Sequence, residues 1–429
     1  MSIRYKCSEE LLERALHTIP LGSQTFSKSK TQLPFGVSPF FVDRADGAKF
    51  WDVDGNEYLD FTNALASVSL GYRDPEVDSA VREQMKRGVT FSLPHKLEME
   101  VAEIMVELIP CAEKVRFAKT GSDATSGAIR VARAYTGRDR VAVCGYHGWQ
   151  DWYIGTTTRD LGVPRAVKDL SHPFSYNNAD SLKQLFNSYP GEFAAVIIEP
   201  MSSTFPEDNF LEKVRALSSE HGALLVFDET VTGFRFSLGG AQELFGITPD
   251  LATFGKGLAN GYPLSALVGK SEFMDVVEKI FFSGTFGGET LSLAAAKSVL
   301  NKLRTEPVIN TIKARGETLL VGVNQIIIDF AMSDLLSICG HPSWSFLVFK
   351  DTSSCSSWEA KTYYMQEMFK RGIFTIGSHN LSYAHTDSHI TQLLSSYKEV
   401  FGELSRLIRV GELQSKLECN PLVPLFKVR

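Results

Sequence analysis

The 429-residue sequence contains no apolar run approaching the ~20 residues that a membrane-spanning helix needs. Its six cysteines are scattered without Cys-x-x-Cys spacing, so neither a zinc site nor a disulfide framework is indicated. Basic residues are not in excess: the formal net charge is −6, which gives no electrostatic support for a nucleic-acid or anionic-membrane partner. Charged residues near the N-terminus leave no uninterrupted apolar run of the kind that a secretory signal peptide needs. We therefore expect a reduced, cytoplasmic protein with no metal site and no membrane or nucleic-acid partner.

The middle of the chain, residues 62–310, alternates helical stretches with short apolar runs. Residues 141–144, 194–198 and 223–227 are apolar at nearly every position, as is typical of strands buried on both faces of a mainly parallel sheet. Residues 115–117 are expected to form a further strand of this kind. The alternation predicts an α/β domain that binds its ligand beyond the carboxyl ends of the strands.

The two ends of the chain predict a smaller domain. Residues 8–20 indicate a helix capped by Ser8 and stopped at Pro20, and a strand meander follows it. Residues 311–429 mix helices with a strand at 345–349 and end in a helix near 387–410. We expect residues 1–61 and 311–429 to form one small α+β domain beside the large domain at 62–310.

Lys256 is the most informative residue of the large domain. It follows a short apolar run and lies between two glycines, and Asp228 ends the strand upstream. A lysine in such a position is suited to form a Schiff base with an aldehyde, and a buried aspartate can keep a pyridine nitrogen protonated. The alternative is a surface lysine in a loop, which is the usual environment of this side chain.

Thr120, Gly121 and Ser122 lie between a strand and a helix. The free N–H groups at a helix N-terminus, together with the two hydroxyls, can bind an anion such as a phosphate. A helix that is simply capped by Thr120 is the alternative interpretation.

The sequence resembles the class III aminotransferases of the fold-type I pyridoxal phosphate (PLP) enzymes, and within them the glutamate-1-semialdehyde aminomutase branch. The resemblance runs from about residue 9 to residue 300. It is carried by residues 51–56 (WDVDGN), 121–124 (GSDA), 132–138 (ARAYTGR), 146–148 (YHG), 224–235 (LLVFDETVTGFR), 245–257 (FGITPDLATFGKG) and 284–288 (GTFGG).

This resemblance implies a fold-type I PLP transferase, with a mainly parallel seven-stranded sheet in the large domain, that works as a homodimer with shared active sites. Lys256 would hold PLP as a Schiff base, and Asp228 would contact the ring nitrogen. The other cofactor contacts implied are Thr120, Gly121 and Ser122 at the phosphate, Tyr146 over the ring, Glu199 beside it, and Thr285 at the phosphate of the neighbouring subunit. From the sequence alone, Glu199 is equally explained as part of a strand-ending turn.

Substrate contacts differ from those of the aminomutase branch. Lys28 stands where that branch has an arginine for the substrate carboxylate, and residues 376–386 are shortened and carry no glutamate. His147 is a further candidate for a substrate contact, with a structural role as its alternative. We expect a ping-pong aminotransferase that moves an amino group from an amino acid to an aldehyde or ketone, such as a sugar-derived carbonyl. An aminomutase-type isomerase and an inactive scaffold protein are the alternatives.

Overall fold

The computed structural model describes residues 3–423. The chain forms two compact units: a larger one, Asp74–Ile309, and a smaller one that joins the residues up to Arg73 with those from Asn310 onward. The first division therefore falls twelve residues beyond the position expected from the sequence, at 73/74 instead of 61/62. The division lies further along the chain because of a backbone pairing between Gly47 and Tyr72. Each residue donates its N–H to the carbonyl oxygen of the other, at 3.0 and 2.7 Å, and this pairing keeps residues 62–73 with the N-terminal strands.

The elements are numbered in chain order. The helices are α1 (Lys6–Leu16), α2 (Asn63–Ala66), α3 (Pro75–Met85), α4 (Lys96–Leu108), α5 (Gly121–Thr136), α6 (Asp151–Ile154), α7 (Arg165–Lys168), α8 (Ala179–Ser188), α9 (Phe210–Glu220), α10 (Ala241–Phe245), α11 (Ser271–Met274), α12 (Thr290–Thr305), α13 (Val308–Asp329), α14 (Ser357–Lys370) and α15 (Asp387–Val410). The strands are β1 (Val42–Asp46), β2 (Lys49–Asp52), β3 (Glu57–Asp60), β4 (Lys114–Ala118), β5 (Arg140–Cys144), β6 (Ser171–Pro173), β7 (Phe193–Ile198), β8 (Leu224–Asp228), β9 (Leu251–Phe254), β10 (Ser265–Gly269), β11 (Leu336–His341), β12 (Trp344–Phe349), β13 (Ile373–Phe374) and β14 (Ser378–Asn380).

The larger unit is built on a seven-stranded sheet in the order β4-β10-β9-β8-β7-β5-β6. Only β10 runs against the others, since it is antiparallel to both β4 and β9 while the remaining pairs are parallel. The expected α/β fold with a mainly parallel seven-stranded sheet is therefore confirmed. The carboxyl ends of six strands meet at one edge, where a ligand site is expected in such sheets.

Apolar strands in the centre of this sheet are buried along their whole length, as in β7, β8 and β9. Helix α5 covers them with Ala128, Ile129 and Val131, all of which are buried. The strand expected at 115–117 is present as β4, but it is only partly buried, because it lies at the sheet edge and has a partner on one side. Burial on both faces was therefore the wrong expectation for this strand.

The smaller unit contains a four-stranded sheet, β1-β2-β3-β13, and a three-stranded sheet, β11-β12-β14. The N- and C-terminal segments share the first of these, because β13 pairs with β3 in parallel. This confirms the smaller α+β domain made from both ends of the chain, and the last helix matches its expected span of 387–410.

Helix α1 begins two residues before the expected cap and ends at Leu16. Ser8 is buried inside the helix and does not cap it, because Asp54 from a distant turn accepts the N–H groups of Cys7 and Ser8 at 2.6 and 2.9 Å. A cap supplied from 46 residues away leaves no local signal in the sequence.

None of the helices within residues 3–423 combines the length and hydropathy that a membrane crossing requires. The same residues contain no cluster of three or more His, Cys, Asp or Glu side chains that could hold a metal ion.

Candidate active site

The sequence-predicted residues of the larger unit converge on the carboxyl edge of its sheet. Asp228 is the last residue of β8, and Glu199 directly follows β7. Tyr146 and His147 follow β5, and Lys256 follows β9 after a single glycine. The edge therefore brings together groups from four neighbouring strands.

The Asp228 carboxylate is buried, and both of its oxygens have hydrogen-bond partners. Its Oδ1 accepts from the Thr230 N–H and hydroxyl at 3.1 and 2.5 Å and from the Thr253 hydroxyl at 3.1 Å. Its Oδ2 accepts from His147 at 2.9 Å. Burial alone would raise the pKa of Asp228, but the hydrogen bonds from His147 and Thr230 outweigh it and hold the pKa below its ordinary value. The group is therefore a carboxylate at neutral pH, with Oδ2 having room for a second donor.

His147 lies behind Asp228. Its Nδ1 contacts Asp228 and its Nε2 lies 3.1 Å from the carbonyl oxygen of Cys144, and the residue is 1% exposed. Both ring nitrogens have protein partners, one a carboxylate oxygen and the other a backbone carbonyl oxygen. The substrate contact expected of His147 stays a prediction.

Lys256 occupies a strained backbone position, with φ of +44°. Left-handed φ values are uncommon for residues other than glycine and cluster at functional sites. Burial lowers the pKa of its amine, although Glu199 and Asp228 attract its proton. Within residues 3–423 no carboxylate lies within 4.0 Å of the Lys256 ammonium, whereas many other lysines form ion pairs. The amine is thus desolvated and uncommitted.

Glu199 and Tyr146 are linked through the backbone. The Tyr146 N–H donates to Glu199 Oε2 at 2.9 Å, and burial raises the pKa of this carboxyl above its ordinary value. A Cβ on Gly145 would lie 2.5 Å from Glu199 Oε2, so a glycine is required for this approach. The Tyr146 ring is half exposed and meets the ring of Tyr153 edge-on at 5.6 Å, which leaves one of its faces open.

The segment at Thr120 forms a capped helix N-terminus. Thr120 Oγ1 accepts from the Asp123 N–H at 3.2 Å, and Asp123 accepts from the Thr120 N–H at 2.8 Å. These bonds are the ones expected of a helix that is capped by Thr120. The segment also lies against the Asp228 turn, because a Cβ on Gly121 would be 3.1 Å from Thr230.

Ser122 connects this helix end to the loop after β5. Its hydroxyl accepts from the Trp149 N–H at 3.3 Å, and a Cβ on Gly148 would lie 2.2 Å from the same oxygen. Gly148 has φ of +103°, so both its backbone and its surroundings require glycine.

Thr285 is exposed in a loop that packs on β4 and α5. Arg116 and Arg130 donate to the carbonyl oxygens of Phe282 and Phe281, which holds the loop in place. A cavity of about 400 Å³ between this loop and α5 is lined by Thr285 and Asp123. The role of Thr285 toward a second subunit stays a prediction.

Lys28 belongs to the smaller unit. It is exposed at the end of a short 3₁₀ turn, Phe26–Lys28, and lines a separate apolar cavity.

Three hydroxyl residues at the edge were missed from the sequence: Thr230, Thr253 and Ser265. For Thr230 the sequence offered a local indication. A threonine two residues after an aspartate that ends a strand often donates its hydroxyl to the aspartate carboxylate within a turn. Thr253 and Ser265 are placed by neighbouring strands, and no sequence pattern links them to Asp228 or Lys256.

The chemical groups at this edge of the sheet match those that PLP requires. It offers one uncommitted lysine amine, one ionised carboxylate with room on Oδ2, an open aromatic face and a helix N-terminus. The Ser265 hydroxyl, fully buried and without a partner, lies beside it, because a Cβ on Gly255 would be 3.8 Å from this side chain. Lys256 would hold the aldehyde carbon, and Asp228 would hold the ring nitrogen.

The fold and this donor set define the class of fold-type I PLP transferases. The class-III aminotransferase family model matches residues 33–330. The chain belongs to the class III aminotransferases, which are PLP-dependent enzymes.

Two relatives and one solved structure illustrate the relationship. The 3-aminobutyryl-CoA aminotransferase of Cloacimonas acidaminovorans is 36% identical over 411 residues, which cover 94% of this chain and 98% of the relative. The glutamate-1-semialdehyde 2,1-aminomutase of Aquifex aeolicus is 32% identical over 425 residues, which cover 92% of this chain and 100% of the relative. The FumI protein of Sphingopyxis sp. MTA144, solved in a form that carries PLP, is 31% identical with a TM-score of 0.88, covering 96% of this chain and 98% of that one.

Proposed function

We propose that this protein is a ping-pong aminotransferase that moves an amino group from an amino acid donor to an aldehyde or ketone. The observation that carries the proposal is the Lys256 amine, which is desolvated, free of any carboxylate within 4.0 Å among the described residues, and located at the same sheet edge as the ionised Asp228. A lysine with a lowered pKa gives up its proton more readily than an ordinary one, as a general base requires.

PLP, when bound, supplies an electron sink that makes the amine-bearing carbon of the substrate acidic. Lys256 then takes the proton from that carbon and returns it at a second carbon, acting as base and then as acid. Asp228 holds a proton at the ring nitrogen, and His147 keeps the carboxylate ionised and oriented. The open face of Tyr146 would fix the plane of the ring.

The two half-reactions use these same residues. The donor amino acid gives up its amino group and leaves as its oxo acid, whose new carbonyl oxygen comes from water. The acceptor carbonyl receives that amino group and loses its oxygen as water, so no net water is consumed. Of the two relatives, one is named for 3-aminobutyryl-CoA and the other for glutamate-1-semialdehyde, so these names do not indicate one common substrate. A sugar-derived carbonyl was the acceptor suggested by the sequence.

We propose that the enzyme is a homodimer in which Thr285 binds the PLP phosphate of the neighbouring subunit. The support is an exposed apolar surface on the Thr285 loop, where Phe281 and Phe286 are 80% and 58% exposed. Exposed aromatic side chains in a well-anchored loop are typical of an interaction surface. All six cysteines are free thiols, which fits the cytoplasmic location that we propose.

The test is the visible absorption spectrum of the PLP-loaded protein, recorded before and after addition of single donors such as glutamate, alanine or glutamine. Loss of the visible band with one donor, and its return on addition of a carbonyl acceptor, would support transamination and name the donor. Turnover of an amino aldehyde without any donor would instead favour the isomerase. Absence of a visible band after PLP addition would favour the scaffold protein.

A further inference from the structure

A cleft of the smaller unit shares no described lining residue with the candidate active site. Its volume is about 880 Å³, which falls within the usual range for small-molecule sites. Helix α1 forms one wall with Glu9, and a loop forms another with Phe35 and Gly36. The remaining wall is the chain after α15, where Gln414 and residues 417–421 line the cleft.

Glu9 brings a buried carboxylate without a partner to this cleft. The residue is 8% exposed, and its Oε1 is enclosed by the protein without a hydrogen-bond donor. Within residues 3–423 no lysine, arginine or histidine nitrogen lies within 4.0 Å of the carboxylate, and Lys6, on the same helix, faces Glu10 instead. Buried carboxylates are normally paired or hydrogen-bonded, because an unpaired charge is costly to remove from water. The unpaired state of Glu9 therefore indicates a cationic group that completes it.

The N-terminus of α1 does not account for this carboxylate. Glu9 lies in the first turn, where the helix dipole favours a negative group. The N–H groups of Cys7 and Ser8, however, already donate to Asp54, at 2.6 and 2.9 Å. The helix end is thus capped by a different carboxylate, and the side chain of Glu9 is left to face the cleft.

The rest of the wall adds no positive charge. Its described residues include no lysine, arginine or histidine, and its second carboxylate, Glu418, is compensated by an ion pair with Lys370. The Gln414 side chain is also engaged, since its Nε2 donates to Glu359. Among the described residues of the wall, Glu9 therefore carries the one uncompensated charge.

Phe35 supplies an aromatic surface to the same cleft. Its side chain is 55% exposed and meets Phe40 at a tilt, with ring centroids 6.2 Å apart, so much of the Phe35 ring is open to a ligand. Leu417 and Pro421 add apolar side chains to the wall. An aromatic face attracts the positive charge of an ammonium group, and a carboxylate accepts its N–H. The two together favour an organic cation as the ligand.

We propose that this cleft binds an alkylammonium compound whose N–H donates to the Glu9 carboxylate and whose carbon substituents pack on Phe35. The inference goes beyond the proposed function, and its test needs no amino-group transfer. A metal ion is disfavoured, because the described residues contain no group of three or more His, Cys, Asp or Glu side chains that could hold one. Hard cations such as Ca²⁺ take about six to eight oxygen ligands.

The experiment is isothermal titration of the full-length protein, with PLP added, using triethylammonium chloride at neutral pH. This probe has one N–H and three ethyl groups, and a tertiary amine forms no Schiff base with PLP, so binding is measured apart from transamination. Its Kd is expected to be about 1 mM or lower. Neutral 3-ethyl-3-pentanol has a similar size and shape and is expected to bind at least tenfold more weakly, since it offers no positive charge to Glu9.

Two variants locate the binding. Glu9→Gln removes the charge at nearly unchanged size and is expected to raise the Kd for triethylammonium about tenfold or more. Phe35→Leu keeps an apolar side chain without the aromatic face and is expected to raise the Kd about threefold. Glu10→Gln is the matched control, because Glu10 is adjacent on α1, exposed and of the same charge. Its Kd should equal that of the wild type.

Thermal unfolding of Glu9→Gln separates a ligand site from a structural role. Because the Glu9 carboxylate has no partner in this structure, the variant should be as stable as the wild type. Marked loss of stability would reveal a partner within the protein and overturn the proposal.

Three titration results would also overturn it: no binding heat with triethylammonium, equally tight binding of the alcohol, or a Glu10→Gln effect as large as that of Glu9→Gln. A fourth is binding that appears only when Lys427 and Arg429 are both changed to glutamine. The basic residues beyond position 423 would then be the partner of Glu9 in place of a ligand.

Discussion

The imidazole of His147 and the carboxylate of Asp228 form a buried pair, with 2.9 Å between Nδ1 and Oδ2, while the other ring nitrogen lies 3.1 Å from the Cys144 carbonyl oxygen. Both ring nitrogens thus have protein partners, which fixes the imidazole behind the carboxylate that we propose holds the ring nitrogen of PLP. Its effect is visible in Asp228, which has a lowered pKa in spite of complete burial.

Replacement of this histidine tests that relationship. In His147→Phe, burial is expected to raise the Asp228 pKa, because the hydrogen bond that opposed it is gone. We expect kcat to fall about 10- to 100-fold, in line with the ~1.5–3 kcal/mol of a charge-assisted hydrogen bond. Loss of activity on acidification should set in at a higher pH than in the wild type, since the carboxylate now protonates earlier. The pH profile of the donor half-reaction measures both, with the exposed His17→Asn as control, and an unchanged acid limb would contradict the assignment.

The Lys256 amine is expected to act as the base of the reaction. Burial lowers its pKa below the ordinary 10.5, so the rate should rise with pH through a midpoint below that value and be lost as pH falls through it. Lys256→Ala should lower the half-reaction rate about 10²–10⁴-fold, the usual contribution of a positioned acid-base group. Stopped-flow absorbance measures the rate, and added methylamine should restore part of it. Lys270→Ala, at an exposed helix end, should retain the wild-type rate.

Gly148 is expected to be irreplaceable at the contact with Ser122. An alanine there meets two obstacles: the φ of +103° and a Cβ placed 2.2 Å from Ser122 Oγ. Gly162→Ala is the matched control, because Gly162 has a similar φ of +90° but no atom within 4 Å of the added Cβ. The control should lose about 1–3 kcal/mol of stability from backbone strain alone. Gly148→Ala should lose more and also bind PLP more weakly, as thermal unfolding and PLP titration would report. Equal losses in the two variants would argue against a role for the Ser122 contact.

Subunit mixing tests the assignment of Thr285. Thr285→Val should weaken PLP binding about threefold to tenfold by removing one hydrogen bond. If Thr285 serves the neighbouring subunit, a mixed dimer of Thr285→Val and Lys256→Ala chains contains one site in which both Lys256 and Thr285 are native. That dimer should bind PLP at this site with wild-type affinity and regain up to half of the wild-type activity. Weak PLP binding at the Lys256-containing site of the mixed dimer would instead place Thr285 at the cofactor of its own chain.

The parts of the fold that were predictable are those with local patterns. The runs that became β5, β7 and β8 are buried along almost all of their length, so uniform apolarity identified them. The edge strand β4 was assigned the wrong burial, because its sequence does not indicate that it has only one neighbouring strand. The Asp54 cap of α1 was unpredictable for a related reason, since a hydrogen bond across 46 residues depends on the path of the chain.

The candidate site divides in the same way. The strand-end positions of Asp228 and Lys256 followed from apolar runs and glycines in the sequence. The pairing of His147 with Asp228 did not, because 81 residues separate them and only the neighbouring ends of β5, β7 and β8 bring them close.

By itself, the sequence determined that the central strands β5, β7 and β8 are buried, that Asp228 ends one strand and Lys256 closely follows another, and that the chain resembles the class III aminotransferases. These properties reside in residue type and order, which local periodicity and motifs record. Only the tertiary structure decided which groups surround Asp228, that both ring nitrogens of His147 have protein partners, and that Lys28 borders an apolar cavity. Those properties depend on distances between side chains far apart in the chain, and such distances are established only when the strands pair and the helices pack on them.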